Sequence, residues 1–223
     1  MKYDAVLVLV GVGRCSQAVL LLAGVLGLNR YQRLPTELRW LVGLIWFGLA
    51  MEVVSQTAMT LYHSTLWVMP IDAAGELWLL SMVFAKALRS PAFTRVRPWL
   101  AGTFVSYVAL SGGLTVAISR EAARFKPSLQ VLESLLILGM AGLYFRKLLN
   151  ELQVPNLARD PLFWVSAGVV LYSISKLLIA LFSNYLLAHY SRELSLTVWT
   201  IHGLLTIVLY LCYLRALWLR PQK

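Results

Sequence analysis

Seven apolar stretches, each long enough to cross a bilayer, take up most of the chain and leave little else to fold. They run at approximately 4–28, 38–62, 67–88, 97–118, 128–150, 162–187 and 195–218. A helix needs ~20 mostly apolar residues to span a hydrocarbon core of about 30 Å. None of the stretches alternates with the period of a barrel strand, and lipid admits only helices or closed barrels. The pattern therefore predicts an all-α polytopic membrane protein, with seven transmembrane helices forming one domain over residues 1–223. Composition agrees, at 59% hydrophobic and 13% charged, against roughly 45–50% and about 25% in soluble domains. That balance excludes a water-soluble enzyme, a disordered tail and a secreted disulfide scaffold. The first stretch carries Arg14 in its middle, and no small-residue cleavage site follows it. It is expected to be a retained helix rather than a signal peptide.

Orientation follows from the basic residues near the helix ends. Arg30, Arg33, Arg39, Lys86, Arg89, Arg95, Arg97, Arg146, Lys147, Arg159, Arg215, Arg220 and Lys223 fall on one side. Lys2, Arg120, Arg124, Lys126 and Arg192 fall on the other. The N terminus is thus expected outside and the C terminus in the cytoplasm. Most of the net charge of +10 belongs to this basic collar, which suits anionic lipid headgroups. No basic helix or aromatic platform stands clear of the membrane, so no nucleic acid is expected as a partner. Cys15 and Cys212 fall at different depths and are expected to be buried apolar residues, not a bonded pair. Ser111-Gly112-Gly113 reads as a close helix contact.

Ionisable groups at membrane depth are costly and usually face a bundle interior. Here they are Arg14, Glu52, Asp72, Glu76, Glu133, Lys176 and His202. Counting inward at 1.5 Å per residue puts Asp72, Glu133 and His202 roughly 8–12 Å from the outer ends. The same count puts Arg14, Glu52, Glu76 and Lys176 about 15 Å in. Spacing supports a shared interior. Asp72 and Glu76 fall on one face of a helix, as do Glu52 with Gln56, and Tyr172 with Lys176. Trp199 lies one turn before His202. Glu52 and Glu76 are expected to neutralise Arg14 and Lys176, leaving Asp72 and Glu133 in surplus. A surplus carboxylate would carry a proton or attract a cation. The expected ligand-binding set is Arg14, Glu52, Gln56, Asp72, Glu76, Glu133, Lys176, Trp199 and His202. The plain alternative is a structural network that fixes helix register.

A receptor or sensor-like protein is the leading expectation, binding a small ligand or cation in an outward-facing polar pocket. Any signal would pass to a separate cytoplasmic or membrane partner, through the basic loops or the region of Arg146, Lys147, Asn150 and Glu151. A proton-coupled transporter is another reading, since carboxylates at half depth can relay protons. An intramembrane zinc-dependent lipid hydrolase is a third. Its metal would be held by His63, Asp72 and His202, with Glu76 or Glu133 as general base.

That last set resembles the alkaline ceramidase and adiponectin-receptor superfamily. Members place a histidine at the end of helix 2, an aspartate on helix 3 and paired histidines on helix 7. Here Val198 and Thr206 stand where a partner for His202 would be, and Met59 occupies the place of the family's serine. Tyr62-His63, Glu76, Asp160-Pro161-Leu162-Phe163-Trp164 and Trp199 to His202 are also similar to small seven-helix proteins of Bacteroidota-type bacteria. That resemblance implies a bacterial inner membrane and no particular activity.

Overall fold

A computed structural model describes the backbone of residues 2–63, 65, 67–118, 127–151, 157–189 and 192–219. Side chains are described for residues 7–63, 65, 67–110, 127–150, 157–182 and 196–219. Arg120, Arg124, Lys126, Arg220 and Lys223 of the charge count lie outside the described residues, and Ser111-Gly112-Gly113 is described as helical backbone alone.

Seven α-helices carry the described chain: α1 Lys2–Arg30, α2 Thr36–Tyr62, α3 Val68–Leu88, α4 Pro91–Ile118, α5 Pro127–Glu151, α6 Pro161–His189 and α7 Arg192–Trp218. Short 3-10 turns, Tyr31–Arg33 and Leu157–Arg159, precede α2 and α6. All seven apolar stretches are helical, and six of the helices are long and apolar enough to cross a membrane. The exception is α4, over its described residues. It starts at Pro91, earlier than hydrophobicity alone predicts, and carries Arg95 and Arg97 before its apolar run. Ser90 explains the early start. Its Oγ accepts the Phe93 N–H at 3.5 Å, and proline suits the first helical position because it has no N–H to satisfy.

The pairing of helices sorts the same way. Contacts run α1–α2–α3–α5–α6–α7 and back to α1, a closed ring of the six, while α4 packs against the flank of α3. Leu38, Leu41, Ile45, Leu80, Phe84, Ile137 and Leu217 are fully buried between the helices. Glycines allow close approach at several seams, the α1–α7 and α6–α7 seams among them. A Cβ on Gly203 would stand 2.7 Å from Val12 Cγ1, and one on Gly168 would stand 2.8 Å from Cys212 Cβ. Cys212 is buried, whereas Cys15 is exposed on the outer flank of α1. Depth along a helix had placed both inside, but it carries no information about which way the face turns.

The basic end is stitched together by cations on carbonyls that helix C-termini leave unpaired. Arg30 donates to Trp218 O at 2.8 Å. Lys147 of α5 donates to Ala87 O at 3.1 Å and Leu88 O at 2.9 Å, closing α3. Asp160 caps α6 by accepting the Leu162 N–H at 3.0 Å, and it also accepts the Tyr144 hydroxyl.

Helices α2 and α3 both stop at a left-handed residue that is not glycine, His63 at φ 51° and Arg89 at φ 49°. A side chain there crowds its own carbonyl, so glycine is preferred. His63→Gly should stabilise the fold by about 0.5–1 kcal/mol, read as a raised unfolding midpoint in detergent. A lowered midpoint would mean that the imidazole makes a contact worth more than the strain.

Candidate functional site

Asp72 and Glu76 sit one turn apart on α3, so both carboxylates enter the ring from the same wall. Lys176 of α6 answers them. Its Nζ donates to Glu76 Oε2 at 3.0 Å and to Glu133 Oε1 at 2.9 Å. Glu133 Oε2 lies equally close but accepts no hydrogen bond. Glu133 is 0% exposed and Lys176 9% exposed, and Glu76 is part-buried, so this is a largely buried triad of two carboxylates and one ammonium. The expectation of a surplus Glu133 is therefore corrected. A count of residues along the helices puts Glu133 a turn outward of Lys176, yet the long lysine stem covers that gap. The hydroxyls of Ser134 and Ser173, on the helices that carry Glu133 and Lys176, are buried with no hydrogen-bond partner.

Two cavities flank the triad. One, of about 230 Å³, takes Glu52 and Ser55 from α2, Asp72 and Glu76 from α3, Tyr172 from α6, and Thr206, Tyr210 and Tyr213 from α7. Its remaining lining, including Leu20 and Phe47, is mainly apolar. The other, of about 190 Å³, takes Asp72, Gln130, Glu133, Tyr172, Lys176, Trp199 and His202. Asp72 and Tyr172 line both. Among the described residues Asp72 accepts no hydrogen bond and makes no ion pair, although it is only part-exposed.

His202 is held on three sides. Its Nδ1 lies 3.0 Å from Ser175 Oγ, its ring stacks on Tyr172 at 5.4 Å, and the Trp199 ring meets it edge-on at 6.1 Å. Lys176 Nζ lies 5.6 Å from the Tyr172 ring centre, within the range of a cation–π contact. Glu52 is exposed on the flank of α2, where it accepts Gln17 Nε2 at 2.7 Å and Gln56 Nε2 at 3.3 Å.

Other expected members lie elsewhere. Arg14 is exposed on α1, lines neither cavity and makes no ion pair among the described residues. Its expected neutralisation by Glu52 or Glu76 is not seen, and Gln17, one turn further along the same helix, reaches Glu52 instead. His63 is exposed at the end of α2, its N–H bonded to Met59 O at 3.2 Å. Among the described residues no three of the His, Cys, Asp and Glu side chains are grouped to hold a metal ion. His63, Asp72 and His202 are therefore not brought together as a ligand set.

Sequence reasoning weighed charges first and so passed over several uncharged polar groups. Gln17, Gln130, Ser175, Tyr210 and Tyr213 all contribute to the cavities or hold residues that do. A signal was present on α7, where His202, Thr206, Tyr210 and Tyr213 recur at helical spacing as one polar stripe. With Arg14 outside, Lys176 is the only lysine or arginine lining the two cavities among the described residues, against Glu52, Asp72, Glu76 and Glu133. Comparisons with protein-family models, with curated proteins and with solved structures find no match.

Proposed function

We propose that this chain is a seven-helix membrane receptor or sensor, N terminus outside, that binds a small organic ammonium within the helix ring. The observation that carries the reading is Asp72, a carboxylate with no hydrogen bond or ion pair among the described residues, at the junction of two cavities whose lining is acidic. A carboxylate removed from water favours a positive partner. The tyrosines alongside add aromatic faces, which also attract ammonium groups. In this reading Asp72 anchors the charge, Tyr172 and Tyr210 enclose the carbon skeleton, and the Glu76–Lys176–Glu133 triad fixes the walls. The basic collar on the other side would face the cytoplasm and set the orientation.

The test is a thermal-unfolding screen of the detergent-purified protein against small primary and quaternary ammonium compounds, each beside its neutral alcohol analogue. Ammonium compounds should raise the midpoint where the alcohols do not. Asp72→Asn should weaken that binding about thirtyfold, the effect of removing one partner of a desolvated charge pair. Equal responses to ammonium and alcohol, or full binding by Asp72→Asn, would sink the reading. Zinc alone is the remaining arm. A midpoint rise with zinc, lost in His63→Ala or His202→Ala, would put the hydrolase reading in its place.

A further inference from the structure

A separate cavity of about 610 Å³ opens where α3 ends and α4 begins, far along α3 from Asp72. Its polar lining is Lys86, Arg89, Ser90, Thr94, Arg95 and Arg97. Four like charges in one concavity repel each other unless an anion joins them. The chain supplies little counter-charge. Among the described residues Lys86, Arg95 and Arg97 make no ion pair. Arg89 meets Glu37 only at 3.9 Å, with its side chain 80% exposed. Arg97 is steered by Met82 Sδ and by the Trp78 ring at 5.9 Å, and its Nε is buried with no acceptor. The first turn of α4 adds the positive end of a 28-residue helix to the same wall.

We infer that this cavity binds a phosphate-bearing anion, and that its source is the headgroup of an anionic lipid. The volume lies within the range of ligand sites and exceeds what a bare phosphate needs. The surroundings favour a lipid. Val96, between Arg95 and Arg97, and Trp99, just after them, are 49% and 74% exposed, an apolar surface on which acyl chains can lie. Tryptophan beside basic residues is the usual arrangement at a membrane interface. Basic pockets between membrane helices recognise lipid phosphates by this combination.

The experiment is native mass spectrometry of the full-length protein in detergent, titrated with phosphatidylglycerol or phosphatidylcholine, with inorganic phosphate followed in parallel by calorimetry. Phosphatidylglycerol should bind, and phosphatidylcholine and inorganic phosphate should bind much more weakly. Each cation removed should cost about fivefold, so Lys86→Gln with Arg95→Gln should weaken binding about twenty-fivefold. Both side chains are exposed, and circular dichroism checks that the helices remain. Should the double variant fail to fold, Arg95→Gln alone must still show the fivefold loss. Arg215→Gln removes a charge from the same collar on another helix and should change binding less than twofold. Inorganic phosphate that binds as tightly, with the same dependence on Lys86 and Arg95, would overturn the lipid as source while keeping the phosphate site. Lipid binding unaffected by the double variant, or weakened as much by Arg215→Gln, would overturn the site.

Discussion

Lys176→Met should destabilise the folded protein by about 3–5 kcal/mol, the usual effect of removing one partner from a buried ion pair. Lys176 is the only cation within 4.0 Å of Glu133 among the described residues, and Glu133 has no exposed surface. The methionine would keep most of the stem's volume and lose the ammonium. Glu133 would then be buried with no opposite charge, and Glu76 would lose its donor. Unfolding in mixed detergent, followed by circular dichroism, reads the effect directly. The double variant Lys176→Met, Glu133→Leu should recover most of the loss, because replacing both members of a buried pair with apolar groups is often neutral. A single variant that loses under about 1 kcal/mol would place the pair among weak surface contacts, contrary to its burial. A double variant as unstable as the single would show that packing, rather than the stranded carboxylate, is responsible.

The second large effect is expected at the α6–α7 seam. Gly168→Ala would put a Cβ 2.8 Å from Cys212 Cβ, 3.2 Å from its Sγ and 3.3 Å from Leu209 Cδ1. The closest of these atoms is fixed to the opposing backbone and cannot rotate away, so the helices must part. Overpacking of that kind costs about 1–3 kcal/mol. The companion substitutions separate the causes. Cys212→Ala leaves the opposing Cβ in place and should give no relief to Gly168→Ala. Cys212→Gly removes it and should restore stability, less about 1 kcal/mol for a glycine inside a helix. If both companions rescue equally, the sulfur rather than the backbone spacing is the obstacle.

The helices were legible because apolar runs of this length admit few other structures. Their boundaries were less so, as α4 illustrates. Hydrophobicity marks the segment that suits lipid, whereas the Ser90-Pro91 pair sets where the helix begins. The order of helices around the ring was not legible at all, since any two apolar faces satisfy each other. At the site, Asp72, Glu133, Lys176, Trp199 and His202 could be picked out, because polar and charged side chains are scarce at depth and line one cavity. Arg14 was misplaced for the reason that misplaced Cys15: distance along a helix says nothing of azimuth. Gln17, three residues on, reaches Glu52 instead. The surplus assigned to Glu133 failed because a count of helical rise ignores the reach of a side chain.

The ring closes by joining α1 to α7, the first and seventh of the described helices. During synthesis α1 must wait with that flank uncovered until six more helices have been made. Contacts between such distant segments close late, because the intervening loop entropy must be overcome first. The larger of the two cavities beside the triad has Thr206, Leu209, Tyr210 and Tyr213 as one wall, all on α7. No nascent chain that stops short of α7 contains that wall. The pocket comes into being only once α7 has been made, so no ligand of that pocket could rescue a chain that lacks α7.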